Sequence, residues 1–214
     1  VAGGDGGALV AYPVQPGAGA PRFAASPSGT VQSLAFDLSG QQLFVGSYGT
    51  LGVVGGAKGM TGAAILAARA GLLAGAGKVY VGLLAPDAAA FDPVYPELML
   101  RAVEDTLSAD VLVVGPGAGH APEGAPPTAF ERTTLPALLS LPKPMVLDAD
   151  ALNAIAAHDT LRDALASNRR APTILTPHPA EAARLLRATV AEVQAERLAA
   201  ARALAERFGA EVVL

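Results

Sequence analysis

From about Gly49 onward the chain alternates between two textures of apolar and polar positions. Short runs rich in Val, Ile and Leu stand at 51–54 (LGVV), 78–84 (KVYVGLL), 110–115 (DVLVVG), 144–149 (PMVLDA), 172–176 (PTILT) and 210–214 (AEVVL). Between them lie longer Ala/Leu stretches with helical spacing, over roughly 61–75, 128–140, 151–166, 180–186 and 189–208, the last being the clearest. Runs that are apolar throughout, rather than at every second residue, belong to strands covered on both faces. Helical stretches between them supply the covers. The pattern predicts an α/β domain with a mostly parallel sheet between two helical layers, and such folds bind ligands at the carboxyl ends of their strands.

The first 45 residues have a different texture. A Pro/Gly-rich piece, PVQPGAGAP, is followed by GTVQSLAFDLSGQQLFVGS, which reads as two strands around a Ser-Gly turn. This segment resembles part of one β-propeller blade, and a single blade has no core of its own. Residues 1–45 are therefore expected to form a short β-rich extension of unknown role, and 46–214 the α/β domain.

Composition narrows the functional classes. The 214 residues are 51% hydrophobic, enough to bury a sizeable core. With no Cys, disulfide frameworks and Cys-ligated zinc or iron–sulfur sites are excluded, which suggests a reducing compartment. A net charge of −4 argues against a general nucleic-acid binder. The longest apolar stretch, AAILAARAGLLAGAG, is short and interrupted by Arg69, so it reads as a buried core helix rather than a membrane span. The N-terminus lacks the pattern of a signal peptide, and a cytoplasmic protein is the default expectation.

The unusual residues fall where the strands end. GGAKGMTGAA (55–64) is a Gly-rich turn entering a helix, with Thr61 the expected N-cap. Backbone N–H groups at such a helix start suit an anion, and Gly62, Ala63 and Ala64 let a ligand approach the backbone. It is not a Walker A loop, because Ala57 precedes Lys58, Gly59 follows it, and no Ser or Thr stands next to it. GPGAG (115–119) fixes a sharp turn directly after a strand, with Gly117 placed where a side chain would clash with a ribose or phosphate.

In LDADALN, Asp150 reads most simply as an N-cap, whereas Asp148 at a strand end needs a hydrogen bond, a metal or solvent. In LTPHPAE, Pro177 ends the strand and Pro179 suits the first helical position, with Glu181 at the third. His178 is thus held at a strand-to-helix corner with little backbone freedom, a placement that points to ligand contact. His120 and His158 lie in polar loop settings and carry no such signal.

Taken together, GSYGTLGVVGGAKGMTGAA, PEL, VVGPGAG, VLDADALN and ILTPHPAEAARLL resemble, in this order, the ADP- or ATP-dependent (S)-NAD(P)H-hydrate dehydratases, a carbohydrate-kinase-related family with a ribokinase-like fold. The resemblance runs from about Gly46 to Leu214. It implies a metabolite-repair lyase, cytoplasmic, that returns hydrated NADH and NADPH to their working forms at the expense of a nucleoside phosphate, with Mg2+ as a plausible companion. It also implies that Ala63, Ala64, Gly117 and His178 contact the hydrated nicotinamide nucleotide, with Asp148, Glu181 and Gly62 in support. No metal site is readable.

Two departures from the family pattern stand out. Phe44 and Val45 replace its usual His-Lys before Gly46. The family's later Lys-Gly segment and its Gly-x-Gly-Asp loop, which carries the catalytic Asp, are not found before Leu214. The resemblance therefore describes a C-terminally incomplete domain whose catalytic residue lies beyond Leu214. A ribokinase-like kinase for a small metabolite, and a non-catalytic nucleotide-binding fragment, are the alternative readings. The apolar helix at 61–75 hints at a homo-oligomer, and an epimerase partner is left open.

Overall fold

The computed structural model describes residues 31–36, 43–47, 49–122, 124–167 and 171–214. The extension contributes β1 (Val31–Phe36) and β2 (Leu43–Ser47), paired antiparallel as a two-stranded sheet of their own. The Ser-Gly turn expected between them lies outside the described residues.

The α/β domain is built on seven parallel strands: β3 (Thr50–Gly55), β4 (Lys78–Leu83), β5 (Met99–Arg101), β6 (Val111–Val114), β7 (Met145–Leu147), β8 (Thr173–Leu175) and β9 (Glu211–Val212). Their order in the sheet is β5-β4-β3-β6-β7-β8-β9, with every adjacent pair parallel. The chain first winds outward from β3 to β5, then returns to the other side of β3 and winds the opposite way. The reversal lies between β3 and β6, and a crevice opens at such a switch point.

Helices cover both faces, and β3 shows why its sequence is LGVV. Leu51 reaches Gly71 of α1 (Thr61–Leu73), and Val53 packs in one cluster with Ala64 and Ala68 of the same helix. Gly52 and Val54 point to the opposite face. There α2 (Val103–Thr106) lies so close that a Cβ on Gly52 would come 3.0 Å from Thr106 O, and one on Gly82 of β4 3.0 Å from Val103 Cα. Glycine at these two strand positions lets a short helix sit directly on the sheet. The larger cluster joins β6, β7 and β8 to α3 (Leu135–Leu139), α4 (Asp150–Ala157), α5 (Asp159–Ser167), α6 (Pro179–Leu186) and α8 (Arg197–Phe208), around fully buried Leu112, Leu147, Leu152, Leu175 and Leu204. Each such leucine contributes roughly 1.5–3 kcal/mol on burial.

Three expected elements divide differently. The stretch 151–166 forms two helices, α4 and α5, separated at His158, whose backbone is extended (φ −121°, ψ 115°). The stretch 189–208 is α7 (Val190–Ala195) and α8, broken at Glu196. The stretch 128–140 opens with a π-helical turn, Phe130–Thr134, before α3. Among the described residues no helix is long and apolar enough to cross a membrane.

Candidate functional site

The four special loops follow β3, β6, β7 and β8 and so lie together at the carboxyl edge of the sheet, beginning at the switch point. The first two are stitched to each other. Gly56 N donates to Pro116 O (2.9 Å) and Ala57 N to Gly117 O. Gly117 adopts φ +61°, and a Cβ there would lie 2.7 Å from Met60 O and 2.9 Å from Ala63 Cβ. The chain's own packing thus requires glycine at 117. Gly62 is the opposite case: a Cβ there would meet nothing within 4 Å, so the space over the start of α1 is open.

Thr61 is not the N-cap expected of it. It is the first residue of α1, Met60 is the N-cap, and no side chain caps this helix. An end left without a side-chain acceptor retains its attraction for an anion. Ala63 lies half-buried beside Gly117, and Ala64 is fully buried beneath the turn, where it packs on the sheet as well as narrowing the loop.

Asp150 also departs from expectation. Ala149 is the N-cap of α4, in a positive-φ conformation (φ 49°, ψ −115°) that a non-glycine residue adopts at a cost of about 1–3 kcal/mol. Asp150 is the first helical residue, and its Oδ2 accepts a hydrogen bond from Gly119 N at 2.9 Å. It therefore ties the GPGAG loop to α4. Asp148 is half-buried, and its Oδ1 accepts from Thr176 Oγ1 at 2.8 Å, linking the ends of β7 and β8.

His178 is the N-cap of α6. Its Nδ1 accepts from Ala180 N (3.1 Å) and Glu181 N (3.4 Å), while Glu181 Oε2 accepts from His178 N (2.9 Å). This is a capping box in which histidine stands where Ser or Thr is usual. An Nδ1 that accepts places the ring proton on Nε2, which lies 3.2 Å from Glu181 Oε1. The two flanking prolines thus serve the cap, and the imidazole side chain is 59% exposed at the edge. Glu181 is buried, and burial pushes its carboxyl up; the bond from His178 N and the His178 charge oppose that rise only partly, and Asp148 adds to it.

The structure therefore gathers the named residues into two groups on one edge. Gly62, Ala63, Ala64 and Gly117 form one at the switch point, and Asp148, His178 and Glu181 the other, over β7 and β8. Among the described residues no group of three or more His, Asp or Glu side chains is arranged to hold a metal.

A second cluster was not legible from pattern. Glu131, fully buried, accepts from Thr128 N (2.6 Å), His120 Nδ1 (3.0 Å) and Ala121 N (3.3 Å), and Thr128 Oγ1 accepts from Glu131 N (3.2 Å). His158 Nε2 lies 3.7 Å from Glu131 Oε1, beyond hydrogen-bond distance. Burial pushes the Glu131 carboxyl up, but the bonds from Thr128, His120 and Ala121 outweigh it and hold the group below its ordinary value. The polar settings assigned to His120 and His158 are thus one side of a His–Glu–His cluster. Thr-Ala-Phe-Glu at 128–131 is a capping-box sequence and signalled the Thr128–Glu131 part. The histidines come from distant segments and gave no local signal.

An open parallel sheet with its special loops gathered at a switch point defines a doubly wound α/β domain. The chain belongs to the NAD(P)H-hydrate dehydratase family, whose model matches residues 51–214. It is 43% identical over 178 residues to the ADP-dependent (S)-NAD(P)H-hydrate dehydratase of Neisseria meningitidis, covering 79% of this chain and 56% of that protein. It is 37% identical over 175 residues to the bifunctional NAD(P)H-hydrate repair enzyme Nnr of Escherichia coli, covering 79% of this chain and 31% of that one. The ADP/ATP-dependent NAD(P)H-hydrate dehydratase of Bacillus subtilis, co-crystallised with ATP and Mg2+, superposes with a TM-score of 0.59 at 27% identity, over 78% of this chain and 57% of that one. A ribokinase-like superfamily protein of Enterococcus faecalis, TM-score 0.61 at 23% identity over 78% of this chain and 57% of that one, shares the fold. The chain spans from about a third to just over half of the length of the curated relatives it matches.

Proposed function

We propose that this chain supplies the nicotinamide-nucleotide half of an ADP- or ATP-dependent (S)-NAD(P)H-hydrate dehydratase. Family membership along 51–214 carries the reading, together with the placement of the switch-point turn, Gly117 and His178 on one sheet edge. The reaction must turn a ring hydroxyl into a leaving group. Phosphoryl transfer to that oxygen breaks the nucleotide's terminal P–O bond. Expulsion of phosphate then breaks the C–O bond as the neighbouring carbon loses its proton and the ring double bond returns. Positioning and anion stabilisation supply most of such catalysis.

The uncapped start of α1 is suited to a phosphate of the dinucleotide, and the open space above Gly62 admits it to the backbone. His178 presents its exposed imidazole edge to the hydrated nicotinamide, while Glu181 and Asp148 fix the cap and strand ends behind it. Ala63, Ala64 and Gly117 shape the floor. Mg2+ would arrive with the nucleotide's phosphates and need no cage of protein carboxylates.

Calorimetric titration with NADPH tests the pocket. Binding is expected, and Gly62→Val, which fills the space over α1 without a clash in the free chain, should weaken it at least roughly tenfold, about 1.4 kcal/mol. Unchanged affinity in a folded Gly62→Val protein would remove the dinucleotide from this edge.

A further inference from the structure

A pocket of about 580 Å³ opens beside the edge just described, and none of the residues assigned to the dinucleotide lines it. Its walls are the segment after the GPGAG loop, the C-terminal half of α4 and the exposed side of α6. Four polar side chains face it: His120, Asn153, His158 and Arg184, with Glu131 behind them.

Three of these, His120, Asn153 and Arg184, are held by hydrogen bonds within the chain. Asn153 Oδ1 accepts from Arg184 Nη1 at 2.9 Å, which leaves the Asn153 amide group and further guanidinium N–H groups as donors. The carboxylate of Glu131 accepts a hydrogen bond from His120 Nδ1 and orients that ring, leaving Nε2 as an acceptor. His158 Nε2 is buried, makes no hydrogen bond and lies 3.7 Å from Glu131 Oε1, so that ring closes the back of the pocket. The remaining lining is small and apolar: Ala121, Pro122, Ala125, Ala156 and Ala157 among them. Among the described residues Arg184 and Asn153 supply donors at the rim, His120 Nε2 supplies an acceptor further in, and the volume falls in the range of nucleotide-sized ligands.

We propose that this pocket is a second binding site, for a phosphate-bearing nucleotide, contacted by Arg184, Asn153, His120 and His158. Arg184 and Asn153 bind phosphate oxygens, His120 Nε2 accepts from the amino group of the base, and the alanine-lined wall beside His158 takes the flat ring. Glu131 acts as a positioning residue that aims His120. The nucleotide is either free or the phosphorylated adenosine end of the dinucleotide, since both present the same group.

The test uses 5′-AMP as probe, with inorganic phosphate as the anion alone. The chain has three histidines, so the imidazole Hε1 proton resonances report each one separately. Saturable AMP binding is expected to move the His120 and His158 signals and leave that of His178 in place. His120→Ala and Arg184→Ala should each weaken AMP at least roughly tenfold, while Arg101→Ala, an exposed cation stacked on Tyr80 at the far edge, should not. Circular dichroism confirms that the variants are folded. If AMP and NADPH exclude each other, the site belongs to the dinucleotide; if both bind at once, it takes a separate nucleotide. Absence of saturable AMP binding, wild-type affinity in both variants, or movement of the His178 signal alone would each overturn the proposal. Failure here leaves NADPH binding at the sheet edge, probed by Gly62→Val, independently measurable.

Discussion

Glu131 and Glu181 occupy matching places and experience opposite fields. Each lies three residues after a side chain whose acceptor atom takes its backbone N–H, at the start of a helical turn, and each is almost wholly buried. Glu131 accepts from two backbone N–H groups and a histidine, and its carboxyl is held below the ordinary value. Glu181 accepts from one backbone N–H, with His178 Nε2 at 3.2 Å and Asp148 nearby, and its carboxyl is raised. Burial alone does not decide the charge of a buried carboxylate; the number of donors aimed at it does. The Glu131 region is a closed polar knot that fixes a pocket wall. The Glu181 region is under-satisfied and lies at the edge proposed to receive ligand, where perturbed groups tend to gather.

The largest expected effect comes from unpicking the closed knot. Glu131→Gln replaces one acceptor oxygen with an NH2 group that faces donors, either Thr128 N or the Ala121 N and His120 pair. A loss of about 2–4 kcal/mol in urea unfolding at neutral pH is expected, because a buried donor is left unpaired. The pH dependence has a definite sign. With a folded value below the unfolded one, near 4.3, the Glu131 contribution is complete above that range. It disappears as pH falls through the lowered folded value. Loss of less than about 0.5 kcal/mol would mean that the carboxylate charge does nothing for the knot.

Glu181→Gln should move stability the other way. The glutamine carbonyl can still accept from His178 N, so the cap survives while the buried charge is removed. A group raised on folding is most favourable below its unfolded range and loses stability as pH rises through the folded value. The variant should therefore gain up to about 1 kcal/mol near neutral pH and lose that advantage in acid. A destabilised variant at neutral pH would make the two glutamates alike and dissolve the contrast.

The difference between these regions also marks what was legible in the amino-acid order. A strand such as 51–54 declares itself because both of its faces are covered. β5 does not: it is a three-residue edge strand whose outer positions are exposed, so it carries no apolar run. The helix stretch 151–166 contains no Gly or Pro to mark the break at His158. The His178 corner could be read because prolines and an N3 glutamate act within a few residues. That its side chain caps α6 is not written in the local pattern, since imidazole seldom plays that part. The Glu131 cluster is made by tertiary contact between His120, Glu131 and His158, and only its Thr128 portion is local.

The smallest effect separates the two things His178 has been asked to do. His178→Ala removes the acceptor for Ala180 N and Glu181 N and should lower stability by about 1 kcal/mol. His178→Asn replaces the ring with one of the preferred capping side chains, so unfolding should match the parent within a few tenths of a kcal/mol. The Nε2 edge is then missing, together with its 3.2 Å approach to Glu181 Oε1. If NADPH affinity falls in both variants, the imidazole itself meets the ligand. If it falls only with alanine, the site depends on the start of α6 being held in place, and any good cap suffices. Equal affinity in both variants and the parent would reduce His178 to a helix cap and leave the switch-point turn as the only part of the edge that binds.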